Sequence, residues 1–452
     1  MAGLLLPGDV LSLRGGGQCK VVKLLGGGAQ GEVYLVSQGA QELALKWYLP
    51  TYLPKDPELA ERLGALIDHG PISDRFLWPL DFVKAAGKSG WGYLMPLRPG
   101  EYVGIVDLKW GANHPQYIQR SYRFLAQMCD DLVANMQRLH LAGFCYVDLN
   151  PGNIFISKSG TGGVRICDLD NVCFANANNA VVTGVAGFMA PEVMQGLVKP
   201  NVNSDRHSLA VVLFDIFMVH HPLVGRAQFL YDTYDDAMPY LFGSHPAFIF
   251  DDSDRSNYAL SYDEHGDRAE ADLAGARAIA RWNHLPGYLR DLFVKAFTVG
   301  LKEPNARVTE GEWRRAFLRM ADSAFPCPGC GNEVLYDPDR LAAFQCPFKG
   351  CDVTLPYRIR LNGNRVVMLN LDTALFPHHI DPKRQFDFST PVAQVLRHPN
   401  RPGRLGLKNL TEVAWKAEDE AGRVVAVDSG RSVGIESNLT VDFGLSKGVI
   451  RL

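Results

Sequence analysis

Three side chains within residues 146–170 have the types and spacing of a phosphate-handling centre. Asp148 is followed five residues later by Asn153 and twenty residues later by Asp168. A carboxylate at Asp148 can orient and deprotonate an attacking hydroxyl, while the Asn153 amide and the Asp168 carboxylate offer hard oxygen ligands to Mg²⁺ or Mn²⁺. Upstream, Gly26-Gly27-Gly28-Ala29-Gln30-Gly31-Glu32-Val33 fits the pattern GxGxxGxV. Missing side chains at Gly26, Gly28 and Gly31 let backbone N–H groups approach phosphate oxygens. Thirteen residues beyond Val33, Lys46 ends an Ala44-Leu45-Lys46 run, placed to reach an α- or β-phosphate. A glycine turn alone is an ordinary hairpin. The glycines, the lysine and the two carboxylates together supply what ATP chemistry requires.

Periodicity indicates the elements that must position these groups. Residues 20–25, 32–37 and 42–48 alternate as β-strands around the glycine cluster. Asp56 has the type of a helix N-cap, Pro57 suits the first turn, and Leu59, Leu63, Leu66 and Ile67 recur at helical spacing. Residues 91–97 predict a buried strand, 118–141 a long helix before Gly143, 208–219 a further helix, and the stretch after Arg307 a short helix ending near Ala324. The acidic, aromatic-dotted segment 228–282 reads as an insertion. Beyond Leu355, short alternating runs at 365–370, 423–427 and 439–443, separated by Gly and Asn turns, predict an all-β module.

The whole chain of 452 residues is 47% hydrophobic and 21% charged, which excludes disorder as its dominant state. With 46 Lys plus Arg against 49 Asp plus Glu, it is not built to coat nucleic acid or an anionic membrane. Its longest apolar run, 209–219, is interrupted by Asp215 and falls short of the roughly 20 residues of a spanning helix. The start has no basic n-region, so a soluble cytoplasmic protein is expected, with neither nucleic acid nor membrane as partner. Of nine cysteines, Cys19, Cys129, Cys145, Cys167 and Cys173 are scattered and read as core residues. Cys327, Cys330, Cys346 and Cys351 form two short pairs separated by fifteen residues, a pattern suited to four thiolates around a structural Zn²⁺. Residues 356–452 carry 14 Lys plus Arg against 10 Asp plus Glu, so an anionic partner is expected at this end.

The ordered series GxGxxGxV, Ala44-Leu45-Lys46, Asp148 to Asn153, Asp168-Leu169-Asp170 and Ala190-Pro191-Glu192 resembles the eukaryotic-type serine/threonine protein kinases over about residues 15–322. The resemblance implies an α+β, two-lobed kinase fold that binds ATP and Mg²⁺. It places Asp148, Lys46, Glu61 and Asn150 in the catalytic group and Asn153 and Asp168 on Mg²⁺. Lys46 would pair with a glutamate of the following helix. Glu58 and Glu61 compete; the family's apolar residue four positions on is Ala65 for Glu61 but Arg62 for Glu58, which favours Glu61. Met95 would be the gatekeeper, Leu97 would lie in the hinge beside adenine, Glu192 would pair with Arg307, and Asp205 would hold the catalytic loop.

The chain departs from that family at several positions. Tyr146-Val147 replaces His-Arg, Asp170 replaces a glycine, and Asn150 and Val185 replace a substrate-side lysine and threonine. Thr183 is the single hydroxyl residue between Asp168 and Glu192, which argues against switching by loop phosphorylation. Asp148-Leu149-Asn150-Pro151-Gly152-Asn153 is also similar to the catalytic loop of aminoglycoside and choline phosphotransferases, and a pseudokinase scaffold is the non-enzymatic alternative. The expected domains are a kinase N-lobe at 1–98, a C-lobe at 99–324 with its insertion at about 228–282, a zinc-ribbon-like knuckle at 325–355 and an all-β domain at 356–452. The last faintly resembles a forkhead-associated domain. The combination resembles the kinases of a bacterial phosphorylation triad associated with tellurium resistance and stress, whose partners are a 2C-class phosphatase and a von Willebrand A-type protein.

Overall fold

In the amino-terminal region, β-branched and aromatic residues alternate along six short strands that close into an antiparallel barrel. They are β1 (Val10–Leu13), β2 (Gln18–Gly27), β3 (Gly31–Gln38), β4 (Gln41–Tyr48), β5 (Asp81–Lys84) and β6 (Gly92–Pro96), in the order β1-β2-β3-β4-β6-β5. Leu11, Val21, Val36, Leu43, Leu45, Trp47, Val83 and Leu94 turn inward as its core. Strand β1 escapes a pattern search because it is four residues long and buries one of them, Leu11. Gly31 has a steric reason: a Cβ there would stand 2.4 Å from the Trp47 carbonyl oxygen. Between β4 and β5, α1 (Leu59–His69) buries Leu59, Leu63 and Leu66 at helical spacing. Its N-cap is Glu58, not Asp56, whose carboxylate instead binds Arg62.

The structure is a computed structural model that describes residues 3–108, 121–158, 163–175, 184–261, 273–338, 346, 351, 355–362, 364–371, 373–398, 400–401 and 403–452. It divides into two units. The first comprises residues 1–119, 128–284 and 288–314, and the second 120–127, 285–287 and 315–452.

After β7 (Tyr102–Gly104), the first unit becomes mainly helical. It contains α2 (Tyr122–Leu141), the short strands β8 (Phe144–Cys145), β9 (Ile154–Ser157), β10 (Val164–Ile166) and β11 (Cys173–Phe174), then α3 (Pro191–Met194), α4 (Val202–Met218), α5 (Tyr234–Met238), α6 (Leu273–His284), α7 (Gly287–Phe297), α8 (Val299–Lys302) and α9 (Glu310–Ser323). The unit boundaries fall within α2, α7 and α9. Helix α4 starts six residues before the predicted 208 because its first turn is polar. Asn201 caps the amides of Asn203 and Ser204, and the Ser204 hydroxyl accepts the Asn201 amide in return. The described residues of segment 228–282 include buried aromatic side chains. Phe248, Phe250 and Trp282 bring their rings 5.7, 6.1 and 6.3 Å from Phe214 of α4.

The second unit joins the cysteine cluster to a β-sandwich. Strands β12 (Ala324–Pro326) and β13 (Glu333–Leu335) pair beside the cysteines. The tail strands are β14 (Arg358–Leu361), β15 (Arg365–Met368), β16 (Ala374–Leu375), β17 (Ala393–Arg397), β18 (Leu405–Asn409), β19 (Trp415–Glu418), β20 (Val424–Val427), β21 (Ser432–Gly434), β22 (Thr440–Asp442) and β23 (Lys447–Arg451). They form a six-stranded sheet, β15-β14-β23-β22-β19-β20, and a four-stranded one, β16-β17-β18-β21. Ile359, Leu375, Val395, Leu407, Trp415, Val441 and Ile450 fill the space between them. Among the described residues no helix is long and apolar enough to cross a membrane.

Candidate active site

Strand β8 delivers the chain into a strained loop. Val147 is β-branched yet has φ 75°, a left-handed conformation that its surroundings must impose. Asp205, fully buried in the first turn of α4, accepts the amides of Tyr146 (2.5 Å) and Val147 (2.9 Å). His140, in the last turn of α2, lies 3.0 Å from the same carboxylate through Nε2 and 2.8 Å from Glu310 through Nδ1. Burial would lower its pKa, but hydrogen bonds to Asp205 and Glu310 carry it up to about 9, so the ring is an imidazolium at neutral pH. Sequence reasoning assigned Asp205 this holding role through the resemblance and missed His140, which is separated from its partners by 65 and 170 residues.

The loop presents Asp148 half-buried. Asn150 caps the short turn Pro151–Asn153 by accepting the Gly152 amide (2.9 Å), and its Nδ2 donates to the Asp148 carboxylate at 3.1 Å. The Val185 amide donates to the same oxygen at 3.2 Å. Burial raises the Asp148 pKa, these two donors oppose the rise, and the charge of Asp168 adds to it. Asn153 Nδ2 donates to the Asp148 carbonyl at 3.0 Å, leaving its amide oxygen as the atom to offer a cation.

Asp168 also lies in the left-handed region, at φ 56°. Its side chain is 32% exposed and accepts Lys46 Nζ at 2.5 Å. Lys46 is buried and donates to three partners: Asp168, Asp170 (2.5 Å) and Gln30 Oε1 (2.9 Å). The expected Lys46–Glu61 pair is absent. Glu61 is exposed on α1, while the inward position is taken by Arg62, bound to Asp56 at 2.5 and 3.0 Å. Asp170 holds Lys46 instead, and it also accepts Tyr48 (2.5 Å) and Tyr93 (2.7 Å). The helical phase of Leu59, Leu63 and Leu66 holds, but the family's apolar position four beyond the glutamate does not carry over, because the buried carboxylate of Asp56 draws Arg62 inward.

The glycine turn closes with the Gly28 amide on the Gly31 carbonyl at 2.8 Å. Gly26 and Gly28 face open space, where a Cβ would meet nothing within 4 Å. That open side suits the approach of a phosphate to the backbone. Val33 lies directly opposite Lys46 in the β3–β4 ladder. Met95 is buried opposite Ala44, and Leu97 follows β6 half-buried. Farther off, Arg307 donates two hydrogen bonds to Glu192, at 2.7 and 2.8 Å. Thr183 lies outside the described residues. Cys145 and Cys173 face each other across β8 and β11 within a small core that includes Val147.

In the second unit, the sulfur atoms of Cys327, Cys330, Cys346 and Cys351 all lie within 4.8 Å of one another. Tetrahedral thiolates at a Zn–S distance of about 2.3 Å stand about 3.8 Å apart, so this donor set fits Zn²⁺. The turn is compact: a Cβ on Gly329 would stand 3.0 Å from that of Cys351, and the Asn332 backbone N–H lowers the Cys330 thiol to about 7. Phe325, Val334, Tyr336 and Met368 pack around the cysteines, so the cluster shares its core with the β-sandwich rather than forming a separate ribbon.

Residues 106–242 match the family described as protein kinase domain. A stretch of 132 residues is 31% identical to beta-adrenergic receptor kinase 1 of Homo sapiens, covering 27% of this chain and 18% of that protein. The same kinase of Mesocricetus auratus is 33% identical over 123 residues, 26% of this chain and 18% of that protein. Serine/threonine-protein kinase sck2 of Schizosaccharomyces pombe is 27% identical over 210 residues, 43% of this chain and 30% of that protein. The chain thus spans less than a third of the length of each. The family match takes in Asp148, Asn153, Asp168 and Glu192, and leaves Lys46 and the glycine turn outside.

Proposed function

We propose that this chain is a protein serine/threonine kinase that transfers the γ-phosphoryl group of ATP to a hydroxyl of a protein substrate. The observation that carries the reading is the convergence of Lys46 and Asp168, 2.5 Å apart, with Asp148 close enough to Asp168 to feel its charge. Asp148 orients the acceptor hydroxyl and takes its proton as the new O–P bond forms. Lys46 supplies positive charge to the α- and β-phosphates, and Gly26, Gly28 and Gly31 admit the phosphates to backbone N–H groups. Asn153 and Asp168 would hold Mg²⁺ or Mn²⁺, which when bound neutralises phosphate charge. Met95 and Leu97 would border the adenine.

The Glu192–Arg307 ion pair supports a protein acceptor, because it anchors the segment after residue 184 that a polypeptide would lie against. Asn150, standing where a lysine is usual, favours the second reading, a small-molecule phosphotransferase of the aminoglycoside or choline type. Four converging thiols support a structural Zn²⁺. The architecture, by resemblance alone, supports a role in a bacterial stress triad with a 2C-class phosphatase and a von Willebrand A-type protein. Radiolabelled ATP offered with a protein extract, with aminoglycosides and with choline tests the acceptor. We expect label on protein Ser and Thr, lost in Asp168→Asn. Label on the small molecules overturns the acceptor class, and equal labelling by both proteins overturns the enzyme.

A further inference from the structure

We propose that Asp170, rather than a glutamate of α1, is the residue that positions Lys46; the proposal rests on the kinase reading of this site. The register of the barrel makes the case. Lys46 and Tyr48 are two apart on β4 and so share one face, and Tyr93 of β6 is the direct cross-strand partner of Lys46. Three donors from one sheet face thus converge on a single carboxylate. Lys46 and Tyr48 both reach Asp170 Oδ2 at 2.5 Å, and Tyr93 reaches Oδ1 at 2.7 Å. The backbone oxygen of Asp170 accepts Arg62 Nε at 3.3 Å. Helix α1 therefore brings a cation to this loop where the resemblance expects an anion, and the anion for Lys46 comes from the loop itself.

The two carboxylates divide the work by exposure. The Asp170 side chain is 2% exposed and each of its oxygens already accepts a hydrogen bond, whereas that of Asp168 is 32% exposed. Asp168 can turn toward a cation while Asp170 holds Lys46 in place.

The test reads Lys46 directly, in the protein without nucleotide, as the rate of its acylation by an amine-reactive reagent followed by mass spectrometry. Asp170→Asn removes the charged acceptor that holds Lys46 in its hydrogen bonds, and the released amine should acylate about tenfold or more faster. Glu58→Gln and Glu61→Gln should stay within about twofold of wild type. Acceleration in either glutamate variant, or a wild-type rate in Asp170→Asn, overturns the proposal. Tyr93→Phe guards against poor folding of the aspartate variant: it removes a buried donor from the same carboxylate but keeps the Asp170 charge and its bond to Lys46. Lys46 should then acylate no faster than in wild type, and an acceleration there equal to that of Asp170→Asn would assign the effect to lost packing and overturn the proposal. With ATP, Asp170→Asn should raise KM as well as lower kcat. A wild-type protein that shows this labelling pattern but transfers no phosphate would refute the kinase reading and leave the positioning role standing.

Discussion

Asp148 has the surroundings of a base whose affinity for protons is adjustable. Burial raises its pKa, and the Val185 amide and Asn150 Nδ2 oppose the rise. Removing Asn150 takes away one opposing donor, so the Asp148 pKa should climb further. A base works only when deprotonated, so activity disappears as pH falls through that pKa. In Asn150→Ala the acid limb of kcat/KM should therefore shift to higher pH, with kcat lowered about tenfold or more by the loss of orientation. An unmoved acid limb would show that Asn150 serves the turn and not the carboxylate. Polar residues at fixed spacing made Asp148, Asn153 and Asp168 legible in the sequence, because their chemistry depends on residue type. Asp170 was legible only as a departure from a glycine. Its partners Tyr48 and Tyr93 lie 122 and 77 residues away, and strand register alone brings them together.

Between elements, the strained loop that carries Asp148 is held by charge. His140 of α2 joins Asp205 of α4 and Glu310 of α9, with its ring 6% exposed. Its folded pKa of about 9 lies above the ordinary 6.5. The stabilisation it provides is fully present below about pH 6.5 and is lost as pH rises through about 9, on the order of 3 kcal/mol in all. Urea midpoints of the wild type should fall across that window, and those of His140→Gln should be lower and flat. A wild-type midpoint that does not change between those limits would contradict the charged triad. At this scale the sequence was legible where elements are amphipathic, as in α1, and obscure where they are not. Helix α4 is buried nearly all round and begins with a polar capping box, so its first turn carries no apolar period. Segment 228–282 was legible as an acidic, aromatic-dotted insertion, but not the burial of Phe248, Phe250 and Trp282 that decides its packing.

For the molecule as a whole, the two units make separable demands. The second has four thiols gathered within 4.8 Å in a core shared with β15. Because metal binding to such a cluster contributes folding energy, chelation should loosen the second unit while leaving ATP binding by the first intact. Limited proteolysis in the presence of a strong zinc chelator should then cleave within 315–452, and an unchanged digestion pattern would count against a structural Zn²⁺. The cysteine spacing made this site visible, but not its fusion with the tail, which depends on Val366 and Met368 packing against the cysteines. The proposed activity requires that Asp148 serve phosphoryl transfer to protein. The most direct measurement compares transfer of the radiolabelled γ-phosphate from ATP to protein by the wild type and by Asp148→Ala under the same Mg²⁺ concentration. The wild type should place label on Ser or Thr residues, and the variant should lose about 10²–10⁴-fold of it; equal incorporation by the two proteins would rule out transfer through Asp148.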